Sequence, residues 1–255
     1  MNKQILGTKR WEQEKFSTDV SDLIAEAEAY SPSKTKPIPP LVIPTGESKI
    51  RSLDYYWRID NVNVNGVIKP YNLKKTLLKE KTFAKHLEYA RQIGESDFHI
   101  DDLIVYHAIF TSLYNSWDKP EIEEIKNFLK KSMRDNWLLT GTGVDYYANS
   151  KQGKVLHNLG NLEHELKIIG PDEYVKDSDD KDFYKALTGD DSPTQINDVY
   201  NWITDKDLYS WRLNSENSNL RKRAVRLDSD SDRVSFYAYG DLSNLDRCFG
   251  VSVAD

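Results

Sequence analysis

"AVRLDSDSDRVSFYAYGDLSNLDRCFGVSVAD", residues 224–255, decides how this chain is read, because of what it omits. It contains no Lys, Glu, Gln, Met or Trp, although Lys and Glu are abundant upstream. Strand propensity explains part of the gap, since both residues are depleted in β structure. It does not explain why charge persists as Arg226, Arg233, Arg247 and six aspartates. Val234, Phe236 and Ala238 alternate with Ser235, Tyr237 and Tyr239. At a period of two, the first set is expected to face a core and the second solvent. Val225, Leu227, Phe249, Val251 and Val253 complete the expected framework.

Outward from that stretch, "LYSWRLN" at 208–214 reads as another strand, as do "NWLLTGTGVDYY" from Asn136 and "KVLHNL" from Lys154. Two short helices are predicted between them, around "KDFYKALTG" and at "SPTQINDVYNWIT", the latter with Ser192 as cap and Pro193 at its first position. Strand, strand, helix, helix and then several strands describe an α+β domain over 136–255 whose first and last strands are expected to pair. Before it, "SLDYYWRIDNVNVNGVIKPY" alternates, and Asn65–Gly66 signals a hairpin turn. Three helices are predicted next. The first carries Leu73, Leu77, Ala84 and Leu87 and closes on Gly94; the second starts at Ser96 or Asp97 and buries Ile100, Leu103, Ile104, His107 and Phe110. The third starts at Asp118, with Pro120 and Glu121 in its opening turn, and buries Ile122, Ile125, Phe128, Leu129 and Met133. Residues 1–50 read as a short helix bearing Val20, Leu23, Ile24 and Ala27, then an arm or linker with five prolines between Pro32 and Pro44. The expected division is 1–50, a hairpin plus three-helix subdomain at 51–135, and a domain at 136–255.

Composition narrows the classes. Fifteen Tyr, eight Phe and six Trp argue for a folded chain despite a charged share of 30%. A net charge of −6, with basic and acidic residues interleaved, gives no electrostatic reason to expect a nucleic-acid partner. A single cysteine, Cys248, excludes an intrachain disulfide framework. The start "MNKQILGTKRWEQEKF" lacks a signal-peptide pattern and no apolar run is long enough to insert in a bilayer, so synthesis in the cytoplasm is expected.

Chemical motifs are sparse. "DSDSDR" at 228–233 opens like a calcium loop, but Arg233 stands where Gly is needed and Tyr239 where a bidentate Glu is needed, so a polar turn is expected. "KDSDDKD" at 176–182 reads as a solvated loop supplying acids to a helix start. "HNLGNLEHEL" offers His157, Glu163, His164 and Glu165; in one helix His157 and His164 would share a face, but Gly160 interrupts it and no third or fourth ligand has recognised spacing. "GTG" at 141–143 has neither the third glycine nor the following helix of a dinucleotide loop. Cys248 has no base identifiable from sequence, and no cofactor or catalytic group is expected.

Ser, Tyr, Asp, Asn, Gly, Arg and Cys exposed together are binding-surface chemistry, with Tyr giving rigid contact area and the small polar residues adapting around it. In this, and in its closing "FGVSVAD", the tail resembles the variable region of the target proteins of diversity-generating retroelements, a family built on a C-type-lectin fold. In that family, template Asn codons are mutagenised at adenines and never become Lys, Glu, Gln, Met or Trp, the set missing after Lys222. The likeness covers the composition and strand order of 136–255, and most of all 208–255. It departs from the family where Phe249 precedes Gly250 and where Ser252 takes the usual place of Arg. The resemblance implies a non-enzymatic, hypervariable protein that binds a protein or glycan on a target surface, associated with a virus particle or cell surface and possible larger viral assembly. The implied ligand-binding residues are Tyr209, Ser210, Ser229, Ser235, Tyr237, Tyr239, Asp241, Ser243, Asn244, Asp246, Arg247 and Cys248. Two alternatives stand beside it: a structural or adaptor virion protein with an ordinary β tail, and a metal-dependent enzyme using His157, Glu163 and His164.

Overall fold

Asn65 and Gly66 take positive φ, 50° and 84°, as the centre of a two-residue hairpin turn requires and as Asn and Gly tolerate. They join β2 (Tyr56–Val64) to β3 (Val67–Lys74), as the sequence predicts, and β1 (Ile50–Ser52) adds antiparallel to β2. Trp57, Ile59 and Val62 are buried. The change of parity between Ile59 and Val62 comes from a register shift, where Asn61 sits at φ 62°. This computed structural model describes residues 49–93, 97–146, 153–157, 162–166, 172–211, 222–238 and 242–254. The predicted helix and proline-rich arm of 1–50, and the Gly94 cap, lie outside those residues.

The first predicted helix is shorter than expected. β3 runs on to Lys74, β4 (Leu78–Lys81) follows, and α1 starts only at Phe83 (Phe83–Ile93). Helix propensity in "NLKKTLLKEK" is overridden by pairing from far along the chain. β12 (Val251–Val253) matches Tyr71, Asn72 and Leu73, and β11 (Asp246–Cys248) matches Leu78 and Lys81.

The other two helices bury the predicted residues except Phe128, which is half-buried, and the second starts at Leu103 rather than at Ser96 or Asp97, so that Ile100 is buried ahead of it. In α2 (Leu103–Tyr114), ten of twelve residues are buried, so it forms the centre rather than one face of a bundle. Its Leu103 N–H donates to Thr142 Oγ1 at 2.8 Å on β5 (Leu138–Tyr146), and Gly141 N–H donates to Asp101 O at 2.8 Å. A Cβ on Gly141 would stand 3.1 Å from Asp101 and Asp102. The "GTG" therefore lets a strand approach a helix start. α3 (Ile122–Asp135) begins later than the Asp118 cap predicts, because Lys119 N–H turns back to Ser116 O and Ile122 N–H to Lys119 O.

After β5 come β6 (Gly153–His157), β7 (Leu162–Leu166), a 3-10 turn at Val175–Asp177, α4 (Lys181–Thr188) and α5 (Pro193–Thr204). Asp180 and Ser192 cap the two helices by accepting from Phe183 N–H and Gln195 N–H. β8 (Leu208–Trp211), β9 (Lys222–Ser229) and β10 (Val234–Tyr237) lead to β11 and β12.

The described residues form an α+β structure with two sheets. One has the order β1-β2-β3-β12; the other is β4-β11-β5-β9-β10-β8, with β6 and β7 branching from β5. The last strand pairs with β3 rather than with β5, and β11 joins β4 to β5. Both sheets thus cross the boundary expected near residue 135, so 51–135 is not a separate helical subdomain. In the core, Phe249 meets Tyr106, Phe110 and Phe128 with ring centroids 5.8–5.9 Å apart, and Tyr106 O–H donates to Phe249 O at 2.8 Å. Phe236 packs edge-on against Tyr200 of α5 at 5.1 Å. Replacing Phe236 by Ala is expected to cost about 3–5 kcal/mol. Urea unfolding checks this; an unchanged midpoint would place the ring outside the core.

Candidate functional site

β8 and β10 lie parallel, with Tyr209 opposite Ser235 and Trp211 opposite Tyr237. β10 and β9 lie antiparallel, with Ser235 opposite Asp228 and Tyr237 opposite Arg226. Side chains alternate across a sheet, so Leu208, Ser210, Leu227, Val234 and Phe236 turn to the core. Tyr209, Trp211, Asp228, Arg233, Ser235 and Tyr237 share the other side.

That side carries a continuous aromatic row. Tyr174 meets Tyr209 edge-on at 5.1 Å. The Arg233 guanidinium lies 4.7 Å from the Tyr209 ring and 4.5 Å from the Trp211 ring. Trp211 meets Tyr237 at 5.7 Å, and Tyr237 stacks with Trp137 at 6.3 Å and 26°. Trp137 is 55% exposed. The row is braced at the edge strand: Tyr209 O–H donates to Asp172 O at 3.0 Å and Ser210 N–H to Glu173 O at 2.8 Å. Aromatic rings and an arginine held in place are the residue types that dominate binding energy at protein surfaces.

Of the residues expected to bind, Tyr209 and Tyr237 lie in the row, both half-buried, while Ser243, Asn244 and Arg247 are exposed. Arg247 Nε donates to Glu80 at 3.1 Å. Tyr239 and Asp241 lie outside the described residues. Five others are corrected, because they are buried. Ser210 shares a hydrogen bond with Tyr184 O–H at 2.8 Å. Ser229 accepts from Lys206 Nζ at 3.3 Å. Ser235 is on the predicted side of β10 but only 1% exposed, on the side where the Arg233 guanidinium lies over the Tyr209 and Trp211 rings. Asp246 accepts from Arg226 Nε at 2.7 Å in a buried ion pair. Cys248 is packed with Ala90, Ile100, Leu139 and Ala224.

The row's other members escaped the sequence reading. Trp211 and Trp137 fall outside the residue set the resemblance allows, and Arg233 was assigned to a turn. The period-two spacing of Tyr209 and Trp211 was the available signal.

His157 and His164 come together, but Glu163 does not join them. His157 Nε2–H donates to Ala186 O at 2.7 Å and its Nδ1 accepts from the Thr142 hydroxyl at 2.9 Å, so both ring nitrogens are used inside the fold. His164 packs edge-on at 5.6 Å, with its pKa lowered by burial and then by His157. Glu163, next to His164 in β7 and so on the opposite side, is exposed and pairs with Lys154 at 2.9 Å. Among the described residues, no three His, Cys, Asp or Glu side chains gather to hold a metal ion. Cys248 Sγ faces His86 Nδ1 at 3.7 Å. Burial pushes the thiol pKa up and the imidazole pKa down, the reverse of an activated thiolate–imidazolium pair. An open cavity of about 340 Å³ lies on the β2–β3 hairpin, where Asp60 is already paired with Arg51 and Arg58. No family model, curated protein or solved structure matches this chain. No helix among the described residues is long and apolar enough to cross a membrane.

Two measurements test the site's electrostatics. Asp246→Ala removes the 2.7 Å buried ion pair to Arg226 and is expected to destabilise by about 3–5 kcal/mol in urea unfolding. Burial, and then the neighbouring Asp230, push Asp228 up to about 6 from 3.8. A carboxyl with a raised folded-state pKa binds its proton more tightly when folded, so its contribution improves as pH falls from about 6 toward 3.8. Asp228→Asn should therefore raise stability at neutral pH, by about 1 kcal/mol after allowing for solvent screening. That gain should shrink in acid.

Proposed function

We propose that this chain is a non-enzymatic ligand-binding protein, built on a C-type-lectin-like scaffold and diversified by a retroelement. Its contact surface is the aromatic row together with the exposed loop at Ser243–Leu245. The ligand is a protein or glycan on a target surface, and the chain is displayed on a virus particle or a cell. The observation that carries this reading is the row itself: six side chains on four segments, linked by successive contacts along one side of the sheet, with Trp137 exposed at one end. The return of β11 and β12 to strands near the start of the described residues supports a scaffold closed by its own C-terminal segment.

Burial narrows the swappable set to Tyr209, Tyr237, Ser243, Asn244 and Arg247 among the described residues. Ser210, Ser229, Ser235, Asp246 and Cys248 belong to the framework. Deep sequencing of the coding region for 208–255 in a natural population tests this. Substitutions should concentrate at the five open codons, spare the five buried ones and never introduce Lys or Glu. Lys and Glu appearing freely at the open positions, or uniform variation along the region, would falsify the retroelement reading.

A further inference from the structure

Arg51, Arg58, Arg134, Arg226 and Arg247 each donate to a carboxylate at 2.7–3.1 Å, and Arg223 donates to Ala238 O at 3.2 Å. Arg233 differs from these six: it makes no hydrogen bond or ion pair among the described residues, and its contacts are the rings of Tyr209 and Trp211. Its Nε is buried without an acceptor, whereas its terminal nitrogens are not among the buried atoms that lack one, so they face solvent. Two residues along the same side of β10, the Ser235 hydroxyl is 99% buried, since the residue is only 1% exposed, and also lacks a partner. Leaving donors of a charged group unpaired in a half-buried site is costly. The two rings hold the guanidinium plane in place and leave its fork of terminal N–H donors pointing outward. Such a fork matches a carboxylate in shape and charge.

We propose that Arg233 is the anchor of the aromatic row, and that it pairs end-on with a single Asp or Glu side chain of a protein partner whose apolar neighbours pack on Trp137 and Tyr237. The inference rests on the row being a binding surface. A protein source is favoured over an acidic sugar because Trp, Tyr and Arg together form the usual energetic centre of a protein interface, and the row is a strip rather than an enclosing cavity. Exposed Asp230 and Asp232 in the same loop repel a polyanion, which restricts the anchor to an isolated carboxylate.

The test follows the Arg233 Nε–H resonance of the full ¹⁵N-labelled chain, assigned by its loss in Arg233→Lys. Three probes are titrated: the capped peptide acetyl-Phe-Glu-Gly-amide, its Gln isostere, and glucuronate. The Glu peptide should move the resonance and bind at least about tenfold tighter than the Gln peptide, with glucuronate weaker than both. In Arg233→Gln, the Glu preference should vanish while tryptophan fluorescence still responds to both peptides. Equal binding of the Glu and Gln peptides with an intact fluorescence response overturns the anchor but leaves the binding row standing. Preference for glucuronate transfers the anchor to an acidic glycan and overturns the protein assignment. Silence of both resonance and fluorescence toward all three probes overturns the anchor and counts against the row itself.

Discussion

In the middle of the larger sheet, the guanidinium of Arg226 meets the carboxylate of Asp246 at 2.7 Å, with both side chains shut away from water. Neither charge could sit there without the other. The pair ties β9 to β11, and through β11 it holds the segment that pairs with β4 on one side and β5 on the other. Only Phe249 and Gly250 separate Cys248 from Val251, the first pairing position of β12, so fixing β11 also aims β12 at β3. Two sheets drawn from both halves of the described residues are therefore held in one arrangement. Phe249, placed between β11 and β12, is carried into the aromatic core against Tyr106 and Phe110.

Local chemistry was legible in the sequence. Asn65–Gly66 announces its hairpin because few residues accept two successive positive φ angles. Ser192 and Pro193 announce α5 because cap and fixed φ act within one turn. The alternation of Val234 and Phe236 with Ser235 and Tyr237 gave the correct sides of β10. What failed was non-local. β4 looks helical until β11 arrives from more than 160 residues away. Ser235 looks exposed by its alternation yet is buried in the fold, and Asp246 looks like a loop acid until Arg226 is placed opposite. Periodicity says which side a residue takes, but what covers that side is decided elsewhere in the chain.

The absence of Lys and Glu after Lys222 acquires two separate causes. At Ala224, Val225, Leu227, Ser235 and Cys248, burial alone disfavours a long charged side chain. At Ser243, Asn244 and Leu245, which are exposed, burial offers no explanation, and the proposed retroelement origin would supply one. The compositional argument therefore concentrates on a short loop and a few ring positions rather than on the whole tail.

The outermost strand of the large sheet, β8, has its free rail occupied by Glu173 and Tyr174 from the same chain. A sheet border that is already taken offers no template on which another chain's strand can dock. Crowded arrays of this protein are thereby spared border-to-border growth at β8. A molecule approaching there meets side chains such as the Tyr209 ring rather than a free backbone edge at Tyr209 and Ser210.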